Sequence, residues 1–599
     1  MSTTPPSPRN DTNSSYTWDL ASIFPDTHAW NSEAQAVLRE AERVSTVKGT
    51  LGRSARDLSN ALRSIDSLTE RFGKIRVYAS LLFSADTRDN EATKMTQFVD
   101  ALSATVGSHL SFVEPEILSL GWSTIEKMCE ECPELRIYHH YLSELERRRR
   151  HTLAPEQEAL LSELSVVTRL PESIRNAAHD GDMRFAPITV GAEMRELTHG
   201  TIDDALQSVD PSVREAAYKS YTDSYIASAR TLAATLTSEV TTSLVFSRAR
   251  GYSSTFERAL FVDDLIPEVY RAAMQSCREH QPLFRRYFKA KAKILGLERL
   301  GEHDIFAKLC PTAPEIPYQQ GLEMVLESLA PLGDEYVSIA TRGLKNERWV
   351  DVFPAPGKYS NAFSSGSYLT RPFFLLNYTP TMPEVGTLAH ELGHSMHSLL
   401  TNRAQPSRYA GYGMTVAETA SNLNQVLLRA HVLKSSDREM SLAVLDEAFF
   451  YAHRYLFMMP VLSRIEHTVH SIYARGGSVG VDDIRKATIT AFERAYDGSV
   501  SFDPERLSMK WGAFCHFYAP YYFFQYAIGI SAAMCIGQRI LNGEPGIREK
   551  YLSFLSAGGS KSPRELFKLV DIDITSRDMY QTSFGVVEGY VKDLERLGV

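Results

Sequence analysis

The sequence predicts a mainly α-helical protein with one small β-sheet. Over residues 58–68 and 98–110, apolar residues recur every three or four positions, which is the pattern of a helix that buries one face. Asp210 followed by Pro211 is typical of a helix start, with the aspartate as N-cap and the proline in the first turn. Residues 357–378 are rich in serine, glycine and aromatic residues and poor in charge, which predicts two short strands.

Composition and helical patterning divide the chain into three regions. Residues 1–15 are rich in Ser, Thr, Pro and Asn and are predicted to be a disordered tail. Residues 16–200 are predicted to form an N-terminal helical region, and residues 201–599 a second, mostly helical region. The apolar, aromatic stretch 514–536 contains polar residues and a proline, so we predict a buried helix there rather than a membrane span.

The composition is that of an ordinary soluble globular protein. The chain has 599 residues, of which 43% are hydrophobic, and a net charge of −9 from 64 basic and 73 acidic residues. That balance gives no electrostatic reason to expect nucleic acid or an anionic membrane as a partner. Six cysteines are too few for a disulfide framework in this length, and no apolar signal segment follows Met1. We therefore expect a cytoplasmic protein, and the oligomeric state stays open.

One short motif, His390-Glu391 followed by His394, combines residues with metal chemistry. Residues four apart lie on the same face of a helix, so the two imidazoles can bind one metal ion. Glu391 lies about 100° further round the helix, close enough to hold a water molecule beside that ion. This is the H-E-x-x-H pattern of zinc peptidases, and the alternative is a pair of histidines in the hydrophobic core.

The third ligand is predicted from the sequence that follows the motif. A catalytic zinc ion needs three protein ligands and one open position. Residues 395–417 contain no Asp, Glu or Cys, and Glu418 is the first acid after the motif, at the start of a predicted second helix. His397 is the rival, but a helix rises about 10 Å over the seven residues from His390, which is too far for one ion. We therefore expect His397 to serve in packing or to support one of the ligands from behind.

Two further segments suggest substrate contacts, and each has a plain structural alternative. The stretch 516–529 carries one histidine and several tyrosines. A tyrosine hydroxyl can stabilise the oxyanion that forms when water attacks an amide, whereas the alternative is a buried aromatic helix. A strand within residues 357–378 could pair with an extended peptide through backbone hydrogen bonds, and an ordinary hairpin explains it equally well.

These segments together resemble the oligoendopeptidase F family, within the thimet-type zinc oligopeptidases. The resemblance covers nearly the whole chain after the N-terminal tail. The matching motifs, in chain order, are Trp18-Asp19-Leu20, Arg250-Gly251-Tyr252, Lys358–Ser365, Leu388–Ser398, Glu418–Asn424 and His516–Gly529.

The resemblance implies a helical clamshell with a deep channel and a small β-sheet beside the zinc helix. It implies a zinc metallo-oligoendopeptidase, with one Zn2+ per chain, that cleaves internal bonds of short unfolded peptides rather than folded proteins. Residues 201–599 would then be the catalytic region. The residues that the resemblance assigns to the site are the zinc ligands His390, His394 and Glu418, the general base Glu391, and the transition-state donors His516 and Tyr522, with Tyr526 a weaker candidate.

Three positions depart from the family pattern, namely Asn361 in place of glycine, Phe524 in place of tyrosine and Gln425 in place of an acid. A glutamine can hydrogen-bond to a ligand but carries no charge, so we expect weaker tuning of the metal. Two other functions are compatible with the motif. A zinc carboxypeptidase would need a group that holds a free C-terminal carboxylate, which the sequence does not assign. A peptide-binding protein without catalysis would have no need for Glu391.

Overall fold

The computed structural model describes residues 14–310 and 312–598, and the mainly helical fold that the sequence predicts is confirmed in them. The predicted disordered tail falls almost wholly on residues 1–13, outside the described residues. Ser14–Tyr16 form a single turn of 3-10 helix.

Twenty-six α-helices make up most of the described chain. The first are α1 (Thr27–Ser45), α2 (Ala55–Ala85), α3 (Asn90–Leu110), α4 (Val113–Ser119), α5 (Trp122–Glu131), α6 (His139–Arg148), α7 (Pro155–Thr168) and α8 (Leu170–Asn176). The middle group is α9 (Ile202–Leu206), α10 (Pro211–Ala227), α11 (Ala229–Ala249), α12 (Thr255–Val262), α13 (Pro267–Glu279), α14 (Gln281–Ile294), α15 (Tyr318–Ser328) and α16 (Asp334–Lys345). The last are α17 (Met382–Ala404), α18 (Met414–Leu433), α19 (Arg438–Ala452), α20 (Met459–Ala474), α21 (Val481–Tyr496), α22 (Pro504–Leu507), α23 (Phe523–Leu541), α24 (Ile547–Ala557), α25 (Pro563–Lys568) and α26 (Asp578–Leu597).

The helix start predicted at Asp210 is confirmed. Its carboxylate accepts a hydrogen bond from the backbone N–H of Ser212, and Pro211 occupies the first turn of α10. A π-helical turn, His453–Met458, joins α19 to α20 without a break in the helical path.

Seven short strands form three small sheets in the described chain. The strands are β1 (Ile188–Val190), β2 (Glu193–Arg195), β3 (Leu300–Gly301), β4 (Val350–Asp351), β5 (Phe363–Ser365), β6 (Phe373–Leu375) and β7 (Val500–Ser501). The two strands predicted within residues 357–378 are confirmed as β5 and β6, which pair antiparallel with Ser364 opposite Phe374. β4 adds a third strand, parallel to β6, so the sheet order is β4-β6-β5.

Two hydrophobic cores meet at strand β6. One core draws most of its buried residues from 18–145, and the other draws its residues from 183–594. Neighbouring residues of a strand point to opposite faces, so Phe373 and Leu375 pack into the first core while Phe374 packs into the second. The small sheet therefore lies where the two cores meet.

The prediction of one buried helix over 514–536 is wrong for its first part. Residues 515–518 form a short 3-10 helix, and α23 begins only at Phe523. Pro520 has no backbone N–H to donate, and Tyr521 has a left-handed φ of 61°, which a continuous right-handed helix does not allow. The remainder is a buried helix, as predicted. Within the described ranges, no helix combines the length and the apolarity that crossing a membrane requires.

Candidate metal centre

Two helices bring three metal-binding side chains together. α17 carries His390 and His394 four residues apart, and α18 carries Glu418. The Nε2 atoms of the two histidines lie 3.7 and 4.0 Å from oxygens of the Glu418 carboxylate, which is too long for hydrogen bonds. One ligand atom from each residue lies within 4.8 Å of the other two. The three side chains predicted as ligands therefore converge around one position.

Two glycines allow the helices to approach closely enough for this convergence. A Cβ atom on Gly393, inside the motif, would lie 2.7 Å from backbone atoms of Ala420 and Ser421 on α18. A Cβ atom on Gly529 of α23 would lie 2.7 Å from the Cβ of Glu418. Side chains at either position would push α18 away, and with it the carboxylate. Sequence reasoning missed both contacts.

A buried series of polar side chains orients the His390 imidazole. The Oε1 atom of Gln425 lies 3.1 Å from His390 Nδ1, and Gln425 Nε2 donates to Glu447 at 2.9 Å. Arg429 in turn donates hydrogen bonds of 2.5 and 2.8 Å to the Glu447 carboxylate. Because the Gln425 amide group donates to Glu447, its oxygen faces the imidazole and accepts from Nδ1–H. His390 Nε2 is then left with a lone pair on the side of Glu418.

We expect Gln425→Leu to weaken metal binding by about 10- to 100-fold, the usual cost of losing a partner that orients a ligating histidine. Competition with a chelator of known affinity measures this directly. Gln275→Leu is the matched control, since that glutamine also donates to a glutamate, at 3.0 Å, but on the exposed face of α13. Equal metal affinities in both variants and the parent protein would exclude a role for Gln425.

Glu391 lies next to the cluster and is almost inaccessible to solvent. It is 7% exposed, and its Oε2 atom has no hydrogen-bond partner among the described residues. Burial raises the pKa of this carboxyl group to about 7, while the charge of His390 opposes the rise and that of Glu418 adds to it. A buried carboxylate with one unused oxygen is well suited to accept a proton.

The other histidines of α17 differ in their surroundings. Burial lowers the pKa of His394 to about 4, so its imidazole is neutral at neutral pH, as a metal ligand must be. His397 takes no part in the converging cluster. It is fully buried and its ring stacks on that of Tyr412 at 3.7 Å, so packing is the one of the two expected roles that the structure shows.

A cavity of about 570 Å³ opens onto the cluster. Its wall includes residues 362–366, which contain strand β5, together with Ser398 and Tyr412. The hydroxyl groups of Ser364 and Ser395 lie 2.9 Å apart and tie β5 to α17. Since β5 ends the sheet order β4-β6-β5, the strand beside the cavity has one edge without a strand partner in the described chain.

The structure places the predicted donors together, but outside the residues that line this cavity. The Tyr522 hydroxyl donates to the Sδ atom of Met414 at 2.9 Å, and Met414 begins α18 one turn before Glu418. The Tyr526 hydroxyl lies 3.2 Å from His516 Nε2, and the Tyr522 and Tyr526 rings are 5.4 Å apart. The three residues thus form one polar group beside the start of α18.

Sequence reasoning missed two tyrosines that border the site from α19 and the π-helical turn. Tyr451 lies nearly parallel to the His390 ring at 6.1 Å, and Tyr455 stacks on Tyr526 at 4.8 Å. The two tyrosines are four residues apart, a spacing that places side chains on one helix face. That spacing was the available signal in the sequence.

The chain is similar in sequence to known peptidases along almost its whole length. It matches the family model described as Peptidase family M3 over residues 205–586 and the model described as Oligopeptidase F over residues 116–185. It is 31% identical to oligopeptidase PepF of Bacillus subtilis, over 98% of this chain and 88% of that protein. It is also 31% identical to an oligoendopeptidase F homolog of Lactococcus lactis, over 98% of each chain.

Solved structures share the fold. The crystal structure of oligoendopeptidase-F from Enterococcus faecium gives a TM-score of 0.75 at 27% identity, covering 95% of this chain and 99% of that one. A crystal structure of a protein from Chlamydophila abortus gives a TM-score of 0.87 at 27% identity, covering 99% of this chain and 100% of that one.

Fold, site and matched sequence define a metalloendopeptidase. The chain belongs to peptidase family M3, and its N-terminal part matches the oligopeptidase F model.

Proposed function

We propose that the protein is a zinc metallo-oligoendopeptidase that hydrolyses internal bonds of short, unfolded peptides. The observation that carries the proposal is the convergence of His390, His394 and Glu418 within 4.8 Å of one another. Next to them, the buried Oε2 atom of Glu391 has no partner in the described chain. A protein that only bound peptides would have no use for such a carboxylate.

Zinc suits the residues that converge at this position. Two imidazoles and one carboxylate are a common ligand set of hydrolytic zinc sites. The separations of 3.7 and 4.0 Å between histidine nitrogens and carboxylate oxygens leave room for an ion between groups that do not hydrogen-bond to one another. We assign His390, His394 and Glu418 as the ligands of one ion per chain. When bound, zinc acts as a Lewis acid and lowers the pKa of a coordinated water molecule.

Glu391 is the general base in the proposed reaction. Its carboxylate accepts a proton from the water molecule that attacks the peptide carbonyl, and then donates that proton to the leaving amine. Its position directly after His390 places it beside the ligands, and its burial keeps solvent from competing for the unused oxygen. The same carboxylate therefore serves both halves of the reaction.

Tyr522 and His516 are the proposed donors to the carbonyl oxygen as negative charge develops on it. The Tyr522 hydroxyl donates to a methionine sulfur, which is a weak acceptor. Replacing this hydrogen bond by one to an anionic oxygen is therefore favourable. Burial lowers the pKa of His516 to about 4, and the charge of Arg454 contributes. The imidazole is therefore neutral at neutral pH and donates through its single N–H.

We expect Tyr522→Phe to lower kcat by about 10²–10³-fold with little change in KM, because the hydroxyl meets a charge that exists only in the transition state. Steady-state kinetics beside a melting curve measure this, since one lost hydrogen bond costs only about 1 kcal/mol of stability. Tyr518→Phe is the control, because its hydroxyl bonds to Thr235 instead. An unchanged kcat in folded Tyr522→Phe would move the role to Tyr526.

The wall of the cavity favours extended substrates. Strand β5 borders the cavity and ends its sheet, and an extended peptide can add to such an edge through backbone hydrogen bonds. A folded protein does not present an isolated strand. The family resemblance implies a deep channel that admits only short chains. A long unfolded protein should therefore be cut far more slowly than its own short fragments, and equal rates on both would contradict this part of the proposal.

A peptide blocked at both ends tests the reaction type. An endopeptidase cleaves it, a carboxypeptidase does not, and a binding protein cleaves nothing. We expect cleavage at an internal bond that a zinc chelator abolishes and added zinc restores. Release of residues only from a free C-terminus would favour the carboxypeptidase, and no cleavage by the zinc-loaded protein would favour the binding protein.

A further inference from the structure

His516 also lines a second cavity, of about 330 Å³, which the mechanism above does not use. Part of its wall is apolar and aromatic, with Phe306, Met458 and Phe514 among the lining residues. The charged residues that line it are Asp203, Glu302, Arg454, Arg506 and Lys510.

Two of the three cations in this cavity are neutralised by carboxylates. Lys510 Nζ lies 2.5 Å from Glu302 Oε1, and Arg506 Nη1 lies 2.8 Å from Asp223 Oδ1. Arg454 differs from both, since its side chain makes no hydrogen bond or ion pair with any residue that the structure describes. Asp203 lines the same cavity, and its charge interacts with that of Arg454 without forming an ion pair. The half-buried guanidinium group therefore has N–H groups that no described residue accepts.

Arg454 belongs to a segment that also borders the metal centre. It lies in the π-helical turn His453–Met458, and such turns are frequent at functional sites. The next residue, Tyr455, stacks on Tyr526, which hydrogen-bonds to His516. Because His516 lines the same cavity as Arg454, a peptide held at the proposed donors can extend from there toward the guanidinium.

We propose that Arg454 binds a carboxylate group of the peptide substrate, in the part of the peptide that extends past His516. The inference rests on the proposed function, since it requires a peptide in the site. A guanidinium group is a planar fork that takes a carboxylate through two parallel hydrogen bonds. The carboxylate is either the C-terminus of the peptide or the side chain of an Asp or Glu residue.

Two pairs of matched peptides distinguish a C-terminal carboxylate from a side-chain carboxylate. One pair has the same sequence with a free or an amidated C-terminus, and the other has Glu or Gln at one position with both ends blocked. We expect Arg454→Gln to raise KM for the carboxylate-bearing member of one pair by roughly 10- to 100-fold, the range for a charge-assisted hydrogen bond. Loss of the Arg454 charge near His516 acts on both members of a pair alike, so the readout is the ratio of KM between the carboxylate-bearing and the neutral member. Arg454→Lys keeps the charge but loses the planar fork of N–H groups. Its KM for the carboxylate-bearing peptide should lie between the values of the parent protein and of Arg454→Gln.

Two other residues of the cavity serve as controls. Arg506→Gln removes a cation that Asp223 already neutralises, so it should affect all four peptides alike. Asp203→Asn removes a carboxylate that lines the cavity and forms no ion pair with Arg454 in the described chain. Asp203→Asn should lower KM for the peptide whose KM is raised by Arg454→Gln. A rise in that KM would count against the inference. A melting curve for each variant reports folding.

Equal effects of Arg454→Gln on the charged and neutral members of both pairs would overturn the inference. Direct binding of the four peptides to the Glu391→Gln protein, with and without Arg454→Gln, gives the same comparison without turnover. A preference for the carboxylate that depends on Arg454 would then stand even if the wild-type protein cleaved none of the peptides. Failure of the proposed function and failure of this inference are therefore distinguishable.

Discussion

Glu391→Gln is expected to lower kcat by about 10²–10⁴-fold, the usual contribution of a positioned general base, with zinc still bound and the fold intact. Glutamine has nearly the same shape as glutamate but cannot accept the proton. Steady-state kinetics on the doubly blocked peptide, combined with metal analysis of the same preparation, measure this effect. Near-normal turnover by the zinc-loaded variant would remove Glu391 from the reaction.

Glu384→Gln is the matched control for that experiment. Both glutamates lie on α17, and burial raises the pKa of each to about 7. Glu384 lines a different cavity, which it shares with Lys291, and lies outside the converging cluster. Its replacement should therefore change kcat little, which separates the loss of a base from the loss of a buried charge.

Glu418→Gln is expected to abolish stable zinc binding, and activity with it. Losing a partner that merely orients a ligand costs about 10- to 100-fold in metal affinity, so losing the anionic ligand itself should cost more than about 10²-fold. Glutamine retains the size of the side chain and can still accept the bond that Ser421 donates at 3.2 Å. Metal analysis after dialysis and kcat on the blocked peptide are the measurements.

The control for Glu418 is Glu239→Gln on α11. Glu239 is also buried and also accepts a hydrogen bond from a serine, Ser243, at 2.6 Å. It does not belong to the cluster of converging side chains, so its replacement should leave zinc content unchanged. Full zinc occupancy in Glu418→Gln would refute the ligand assignment.

The helical fold and the cluster could be predicted because their signals are local. Helical spacing places His390 and His394 on one face whatever the rest of the chain does. Glu418 was found because residues 395–417 offer no other acidic or thiol ligand. The small sheet could be predicted for the same reason, since the residues that differ in composition form one continuous stretch, 357–378.

Features that depend on contacts between distant segments could not be predicted. The sequence shows only that Gln425 is uncharged, so weaker tuning of the metal by this residue was expected. The structure adds the carboxylate of Glu447, on α19, which accepts a hydrogen bond from Gln425. The role of Gly393 is visible only once α18 lies against it. In the 514–536 stretch, Pro520 was a local signal, but the left-handed φ of Tyr521 depends on surroundings that no periodicity records.

The close contacts at Gly393 and Gly529 have a consequence for how the protein exchanges its ion. Backbone and side chains in van der Waals contact inside the core hold α17, α18 and α23 at this spacing. In small zinc domains the ion is needed for folding, so uptake waits for the chain to order. Here we expect the chelated protein to keep a ready-made site. Metal loading should then be a simple bimolecular event, and withdrawal of the ion should inactivate the enzyme reversibly without unfolding it.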